Sequence, residues 1–374
     1  MNLENLPDTW KVVRLGRVAE IVLGKTPHRK NKEYWDNGVI PWVKIQDMTD
    51  KVIYNTSEKI SQKALEEVFH NNLIPKGTLI MSFKLTIGKT AFLGIDAVHN
   101  EAIVSIFPNP NLVDKNYLFY LLPFLDYAEL TGGAAKGETL NKEKLQNLSI
   151  PLPPLSEQKR IVEILSLAEE LIKKQKEAIA LIDKILMAKF LEMFGDPATN
   201  PKGWEERRLG EDNLIKLESG KRPRGGALKE GSVLSIGGEH INNFGRLEIK
   251  EPKYISFDFY NQLKQGKLQI GDVIMCKDGA KTGKVAYIHQ LPYIHCAVNE
   301  HVFIIRSQKE ELNNIYLFYF LFSKEGQRKI KEKFHGIIGG IKKDDIYDIQ
   351  IPLPPIELQK QFAQIVEEFE KKRE

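Results

Sequence analysis

The sequence predicts an α+β protein: two copies of one mixed α/β domain, joined and followed by long helices. Three observations predict it. First, segments recur in one order: WKVVRLG from Trp10 returns as WEERRLG from Trp204, and GTLIMS from Gly77 returns as GDVIMC from Gly271, both 194 residues later. YLFYLL from Tyr117 returns as YLFYFL 199 residues later, and IPLPP from Ile150 returns 201 residues later. Offsets that drift by so little describe a duplicated unit with small loop insertions, and two large copies are too few for a solenoid. Second, short strand-like runs separated by Gly turns, with a few helices, suggest a mixed domain rather than a doubly wound one. Third, the stretch from Ile150 to Phe194 carries a helical heptad. Ile161, Leu165, Ala168, Ile172, Ile179, Ile182 and Leu186 alternate by four and three, with Gln175 in one slot. Such a seam calls for a partner helix, and the recurring IPLPPIELQKQFAQIVEEF supplies one through Phe362, Ile365 and Phe369.

The boundaries follow: a first domain over 1–150, a spacer helix over 151–194, a second domain over 195–350, and a second, short helix over 351–374. Ser156 offers an N-cap hydroxyl to the first helix, and Gly and Pro in GDPATNPKGW stop it. Within the first copy the strand-like segments are RLGRVAEIVL, Val39 to Ile45, TLIMSF, TAFLGI and AIVSIF. SQKALEEVF reads as a helix capped by Ser61, and Asn116 to Leu130 as a buried aromatic helix. The second copy follows with LIKLESG, SVLSIGG, VIMC, KVAYI, VFIIR and the helix YLFYFLFSKEGQRKIKEKF.

Hydrophobic and charged contents of 42% and 28% describe a soluble globular chain. No apolar run reaches the roughly 18 residues of a membrane span and the first residues lack a signal-peptide core, so a cytoplasmic protein is expected. Cys276 and Cys296, the two cysteines, are too few for a disulfide scaffold and are expected to be reduced thiols. The net charge of +4 is spread as 18 Lys/Arg against 17 Asp/Glu over 1–150, and 25 against 21 over 195–350. A polyanion-binding chain with this balance must gather its cations on particular loops.

Catalytic constellations fail on spacing. IGKT from Ile87 and TGKV from Thr282 resemble phosphate-loop fragments, but Phe83 and Asp278 stand where the first loop glycine is needed. His289, His295, Cys296 and His301, with Cys276 nearby, fall on successive strands and turns rather than at metal-ligand spacing. There is no serine elbow and no H-E-x-x-H. Tyr117, Phe119, Tyr120, Tyr316, Phe318 and Tyr319 lie at helical spacing in apolar runs and are assigned to the core.

An electrostatic pattern remains. Lys25, His28, Arg29, Lys30 and Lys32 in the first copy match Lys221, Arg222 and Arg224 in the second. Lys84 and Lys89 match Lys277, Lys281 and Lys284. A third loop, beside paired glycines, brings Lys136 in one copy and Lys331, Lys333, His335, Lys342 and Lys343 in the other. Glycines let backbone approach phosphates, Lys and Arg supply charge, and Arg reads guanine edges through its planar fork. Any single lysine is as well explained by a solvated loop. Three clusters at equivalent places in two domains favour a nucleic-acid surface.

In order and in duplicate, these motifs resemble the specificity subunit of type I restriction-modification enzymes. The W-x-x-x-x-L-G openings, MSFKLTIGKTAF and MCKDGAKTGKVAY, HNEAIVSIF and VNEHVFIIR with Asn100 and Asn299, and the IPLPP-x-x-x-Q-K helices with Gln158, Lys159, Gln359 and Lys360 carry the resemblance over essentially the whole chain. It implies two target recognition domains, each reading half of a split, asymmetric double-stranded DNA site. It also implies an antiparallel coiled coil that fixes their spacing. By the same resemblance the chain is non-catalytic and binds no cofactor. Two methyltransferase subunits using S-adenosylmethionine and two restriction subunits using ATP and Mg2+ would assemble around it. In that family the two helices are of similar length, whereas here the second ends about 20 residues sooner. Either the far end of the rod is unpaired or the chain is a shortened form, and an unpaired seam from about Ile172 to Leu186 would favour self-association or a partner helix. A protein-only coiled-coil adaptor and a stand-alone DNA-modifying enzyme are the rival readings.

Overall fold

The computed structural model describes residues 6–127, 140–335 and 340–373. Its contacts divide the chain into two compact units, Met1–Lys173 and Lys174–Glu374, and the division falls inside one continuous helix, Leu155–Phe194.

The first unit opens with β1 (Lys11–Arg14), which pairs antiparallel with β10 (Ser149–Leu152), the strand before the long helix. Between them lie β2 (Ala19–Leu23), β3 (Ile40–Val43), β4 (Val52–Ile53), β5 (Glu58–Ile60), β6 (Leu79–Ser82), β7 (Thr90–Leu93), β8 (Val98–His99) and β9 (Ile103–Pro108). They form a five-stranded sheet, β2-β9-β6-β7-β4, and a three-stranded sheet, β5-β3-β8, in which β3 and β8 run parallel.

The second unit repeats this plan with β11 (Glu206–Arg208), β12 (Ile215–Ser219), β13 (Val233–Ile236), β14 (Tyr254–Ile255), β15 (Val273–Cys276), β16 (Val285–Tyr287), β17 (His295–Val298), β18 (Val302–Ser307) and β19 (Gln350–Pro352). Its ribbon is β11-β19 and its sheets are β12-β18-β15-β16 and β14-β13-β17, with β13 and β17 parallel as β3 and β8 are, while β4, which pairs parallel with β7 in the first unit, has no counterpart among the described residues. The duplication read from sequence thus reaches the order and direction of every strand but β4. The short strands β4, β8, β14 and β17 carry no strand signal long enough to be read from sequence.

Each copy closes on its IPLPP segment by the same two devices. Tyr117 donates its hydroxyl to the Pro151 carbonyl at 2.9 Å, and Tyr316 does so to Pro352 at 2.5 Å. The fully buried Gln158 accepts from the Asp114 amide at 2.8 Å and donates to the Pro153 carbonyl at 2.8 Å. Gln359 accepts from Asn313 at 2.9 Å and donates to Pro354 at 2.7 Å. A buried amide must satisfy both ends, which explains why Gln recurs at this place. It welds the start of the spacer helix to the cap of the aromatic helix (Lys115–Leu121 or Asn314–Phe322).

Three sequence expectations change. The long helix begins at Leu155, so Ser156 lies within its first turn and the Pro154 carbonyl receives the first amides instead. The expected single helix after Tyr316 is two, Asn314–Phe322 and Lys324–Glu332, because Ser323 takes extended backbone angles and caps the second through the Gly326 amide. The aromatic helix of the first copy runs to Leu121 and passes into a short 3-10 turn, Leu122–Phe124, and the end of the expected helix, 128–130, lies outside the described residues.

The seam is also redistributed. Ile161 packs on the core of the first unit. In the second unit Leu186, Phe190 and Phe194 are buried against Tyr316, Tyr319 and Phe362, with Ile182, Ile365 and Phe369 packed at the edge. Phe362 lies beside Phe190 and Phe194 while Arg373 pairs with Asp183, so the C-terminal helix, Ile356–Lys371, runs antiparallel to the long one. Ile179 is half-buried. Leu165, Ala168 and Ile172 are exposed, as are Ile164, Leu167 and Leu171. Along the seam the longest uncovered apolar stretch is therefore Ile164 to Ile172, not Ile172 to Leu186, although Leu181 and Ile185 beside the seam are also exposed. Heptad spacing located the seam but could not say which of its turns a helix of only 16 residues would cover. Among the described residues no helix is long and apolar enough to cross a membrane.

Candidate nucleic-acid interface

In each unit the turn that follows the parallel strand, β8 or β17, acts as a hub for the cationic loops. Asn100 folds back to accept the Ala102 amide at 3.1 Å, and Asn299 accepts the His301 amide at 2.9 Å. The loop after β2 or β12 then packs on this turn through Gly24 or Gly220. A Cβ at Gly24 would collide with the His99 and Asn100 carbonyls, and one at Gly220 with those of Val298 and Asn299. Next come Lys25 and Lys221, and after each a residue that grips the hub glutamate: Thr26 donates to Glu101, and Arg222 pairs with Glu300 at 3.6 Å.

In the first unit the β6–β7 loop closes a cleft of about 840 Å³ lined by Lys44, Gln46, Lys84, Leu85, Lys89, Asn100 and Glu101. Buried Ser82 holds the base of this loop: its amide donates to the Lys89 carbonyl and its hydroxyl accepts from the Lys89 amide at 3.2 Å. Lys84 and Lys89 thus come together with the hub. Of the first loop, Arg29 sits over Trp35 and Trp42, 4.0 and 4.6 Å from their ring centroids, and pairs with Glu58 at 2.6 Å. Lys44 shares that carboxylate at 2.9 Å. Burial pushes Glu58 upward, but the hydrogen bonds from Lys44 and Arg29 outweigh it and hold the group below its usual range. Lys25 is turned onto the Val68 carbonyl at 2.8 Å, while His28 and Lys30 are exposed. Lys136 lies outside the described residues.

In the second unit Lys221 and Arg222 line a cleft of about 620 Å³ with Lys229, Lys253, Glu239, Asn299, Glu300 and His301. Arg224 is exposed on the same loop. His301 reaches Asp278 on the β15–β16 loop, and Asp278 also pairs with Lys277 at 2.5 Å. Burial raises Asp278, yet the hydrogen bonds from Lys277 and His301 leave it below the usual carboxylate range. Lys281 lies exposed near the tip of that loop. Lys284 is pulled below the ordinary lysine range, first by burial and then by the Lys281 charge. The third loop joins through the Ile341 amide, which donates to the Lys277 carbonyl at 2.7 Å, and so brings exposed Lys342 alongside. Lys343 instead turns inward to the Leu217 carbonyl at 3.2 Å.

The predicted clusters therefore converge within each unit, but their charge is balanced by acids that sequence reading did not place: Glu58 and Glu101 in one copy, Asp278, Glu300 and Glu239 in the other. Lys44, Gln46, Lys229 and Lys253 also belong to the clefts and were missed. The one signal that could have found the hub is the Asn-Glu pair shared by HNEAIV and VNEHVF. The four residues weighed as metal ligands disperse. His289 meets Tyr287 edge to face, His295 lies against Phe257 and Tyr260, buried Cys296 reaches the Tyr293 carbonyl, and His301 belongs to the cleft.

Such a surface, cations and amides around a concave hub, suits binding of a polyanion. Comparisons with known proteins agree. The chain is 28% identical over 400 residues to the type I restriction enzyme MjaIX specificity subunit of Methanocaldococcus jannaschii, covering 99% of this chain and 89% of that one. It is 23% identical to the MjaVIII specificity subunit of the same organism, covering 96% and 85%. The fold matches the crystal structure of the type I restriction-modification S subunit from M. genitalium with a TM-score of 0.57 at 15% identity, covering 100% of this chain and 92% of that one. The family model for the type I restriction modification DNA specificity domain matches twice, over residues 7–181 and 201–374, so the chain belongs to that family, with one such domain in each half.

Proposed function

We propose that this chain is the DNA-recognition subunit of a cytoplasmic type I restriction-modification enzyme, in which each unit reads one half of a bipartite, asymmetric duplex site. The observation that carries this reading is the duplicated hub: one turn, gripped by the same loop in both copies, gathers lysines and amides into a cleft. Phosphate contacts from Lys and Arg give affinity, while Asn, Gln and Arg forks give base choice. The continuous helix would set the half-site separation, because a duplex rises about 3.4 Å per base pair and an α-helix about 1.5 Å per residue. The chain itself would perform no chemistry and hold no cofactor. Two methyltransferase subunits would bring S-adenosylmethionine, and two restriction subunits would bring ATP and Mg2+. The exposed helix faces around Glu163, Glu170, Lys174 and Glu177 would receive them.

Salt separates this from a protein-only adaptor. DNA affinity is expected to fall steeply and log-linearly with salt, and Arg222→Ala to reduce the slope by about one unit. Arg222→Ala or Arg224→Ala should relax base choice in one half-site only, read by selection of duplexes from a randomised pool. A change in both half-sites would overturn the assignment of one unit per half. The uncovered stretch from Ile164 to Ile172 is expected to make the isolated chain dimerise with concentration, and light scattering that reports a monomer across the micromolar range would remove that idea.

A further inference from the structure

The tip of the β6–β7 loop holds a residue that two general rules disfavour. Leu85 is 95% exposed and its backbone is left-handed, with φ of +62°. A left-handed backbone crowds any residue that carries a Cβ, and an isobutyl group left in water gains nothing from folding. The matching loop of the second unit puts Gly279, with φ of +83°, at its tip, where a Cβ would meet nothing. The duplicated domain therefore builds this tip from glycine in one copy and from leucine in the other. Buried Ser82 fixes the base of the first loop through both its backbone and its hydroxyl, so the tip is presented by a held hairpin. Strain kept by surrounding structure is a pointer to function.

The neighbours say what Leu85 would meet. It rims the same cleft as Lys44, Gln46, Lys89 and Asn100. In the major groove an A·T pair offers adenine N6 and N7 to an Asn or Gln amide, and beside them the thymine 5-methyl group, which is read by apolar contact. Lysines on either side reach phosphates. Resting on the DNA-recognition reading above, we infer that Leu85 is a specificity residue of the first unit, seated on the 5-methyl group of a thymine in the half-site which that unit reads.

The test uses the full chain and a pool of duplexes with randomised positions. The selected duplex is then resynthesised with deoxyuridine in place of each thymine in turn, which removes only the methyl group. One substitution, in one half-site, is expected to weaken binding by the wild type roughly fourfold, the value for one buried methyl-sized group. In Leu85→Ala and in Leu85→Gly that penalty should vanish while the other positions keep theirs. Leu85→Gly removes the backbone strain, so it should be at least as heat-stable as the wild type and yet less selective, a combination a purely structural leucine would not give. The inference is overturned if every deoxyuridine penalty survives in both variants, or if the variants lose affinity equally for all duplexes. If the wild type selects no duplex at all, it is the recognition reading that fails, and this inference falls with it.

Discussion

Phe190→Ala is expected to cost the second unit about 3–5 kcal/mol, the range for emptying a fully buried aromatic site. Phe190 is completely buried and its ring centroid lies 5.6 Å from Phe362, 5.7 Å from Tyr316 and 6.0 Å from Tyr319. Its contact with Phe362 joins the long helix to the C-terminal one, and the loss should appear as an earlier urea or thermal transition for that unit. Ile172→Ala, by contrast, removes a side chain that is 52% exposed and should stay within about 0.5 kcal/mol of wild type. Equal losses at the two positions would mean that the middle of the long helix is covered in solution after all, and that the seam works along its whole length.

That contrast marks what a heptad can tell. Spacing alone gives Ile172 and Leu186 the same standing, since both fall on one stripe. Burial depends on what lies opposite, which is set by the length of the C-terminal helix and by the aromatic helix that joins it. Phe190 and Phe194 were overlooked because they follow the four-residue step from Leu186 rather than the alternation of four and three. That the two copies would share a strand order was legible through the repeat, because corresponding segments keep their sequence, but the order itself was not. The parallel pairs were not, since β8 has only two residues and β17 begins with His295.

The candidate site was legible as loops and not as a surface. Gly-Lys-x-Pro occurs at Gly24 and at Gly220, and it is the glycine that sets the loop on the hub while the residue after Lys grips the hub glutamate. Counting cations found these loops but gave Arg29 the same weight as Lys30. In the fold Arg29 is committed to two indoles and a carboxylate, and Lys30 is exposed. A local charge count cannot see a partner that lies across a sheet.

The two copies also differ in how they fill one place, and that difference yields the second large effect. In the second unit Arg306 makes a two-pronged contact with Asp272, at 2.5 and 2.8 Å, and reaches Glu218 at 3.1 Å. Both carboxylates are buried. The matching positions of the first unit, read from equal strand registers, are Phe107, Thr78 and Val22. One fold therefore tolerates either an ionic or a largely apolar solution here. Removing one partner from a buried ion cluster strands the others, so Arg306→Ala should destabilise the second unit by about 3–5 kcal/mol. The triple change Arg306→Phe, Asp272→Thr and Glu218→Val leaves no stranded charge and should recover most of that loss. What it would not recover are the bonds from the Gln269 amide to Asp272 at 2.8 Å and from the Gly266 amide to Glu218 at 2.9 Å, each worth about 1 kcal/mol.

Acid supplies an independent check. Burial pushes Glu218 upward, but the Gly266 amide and the Lys216 and Arg306 cations outweigh it and lower it from 4.5. A carboxyl lowered by folding contributes stability that is complete above its unfolded value and is lost as pH falls through the folded one. Calorimetry of the wild type below about pH 4.5 should therefore show the second unit losing a contribution that the triple variant never had. If the single and triple variants were equally unstable at neutral pH, and lost stability alike in acid, the cost would lie in packing and not in stranded charge.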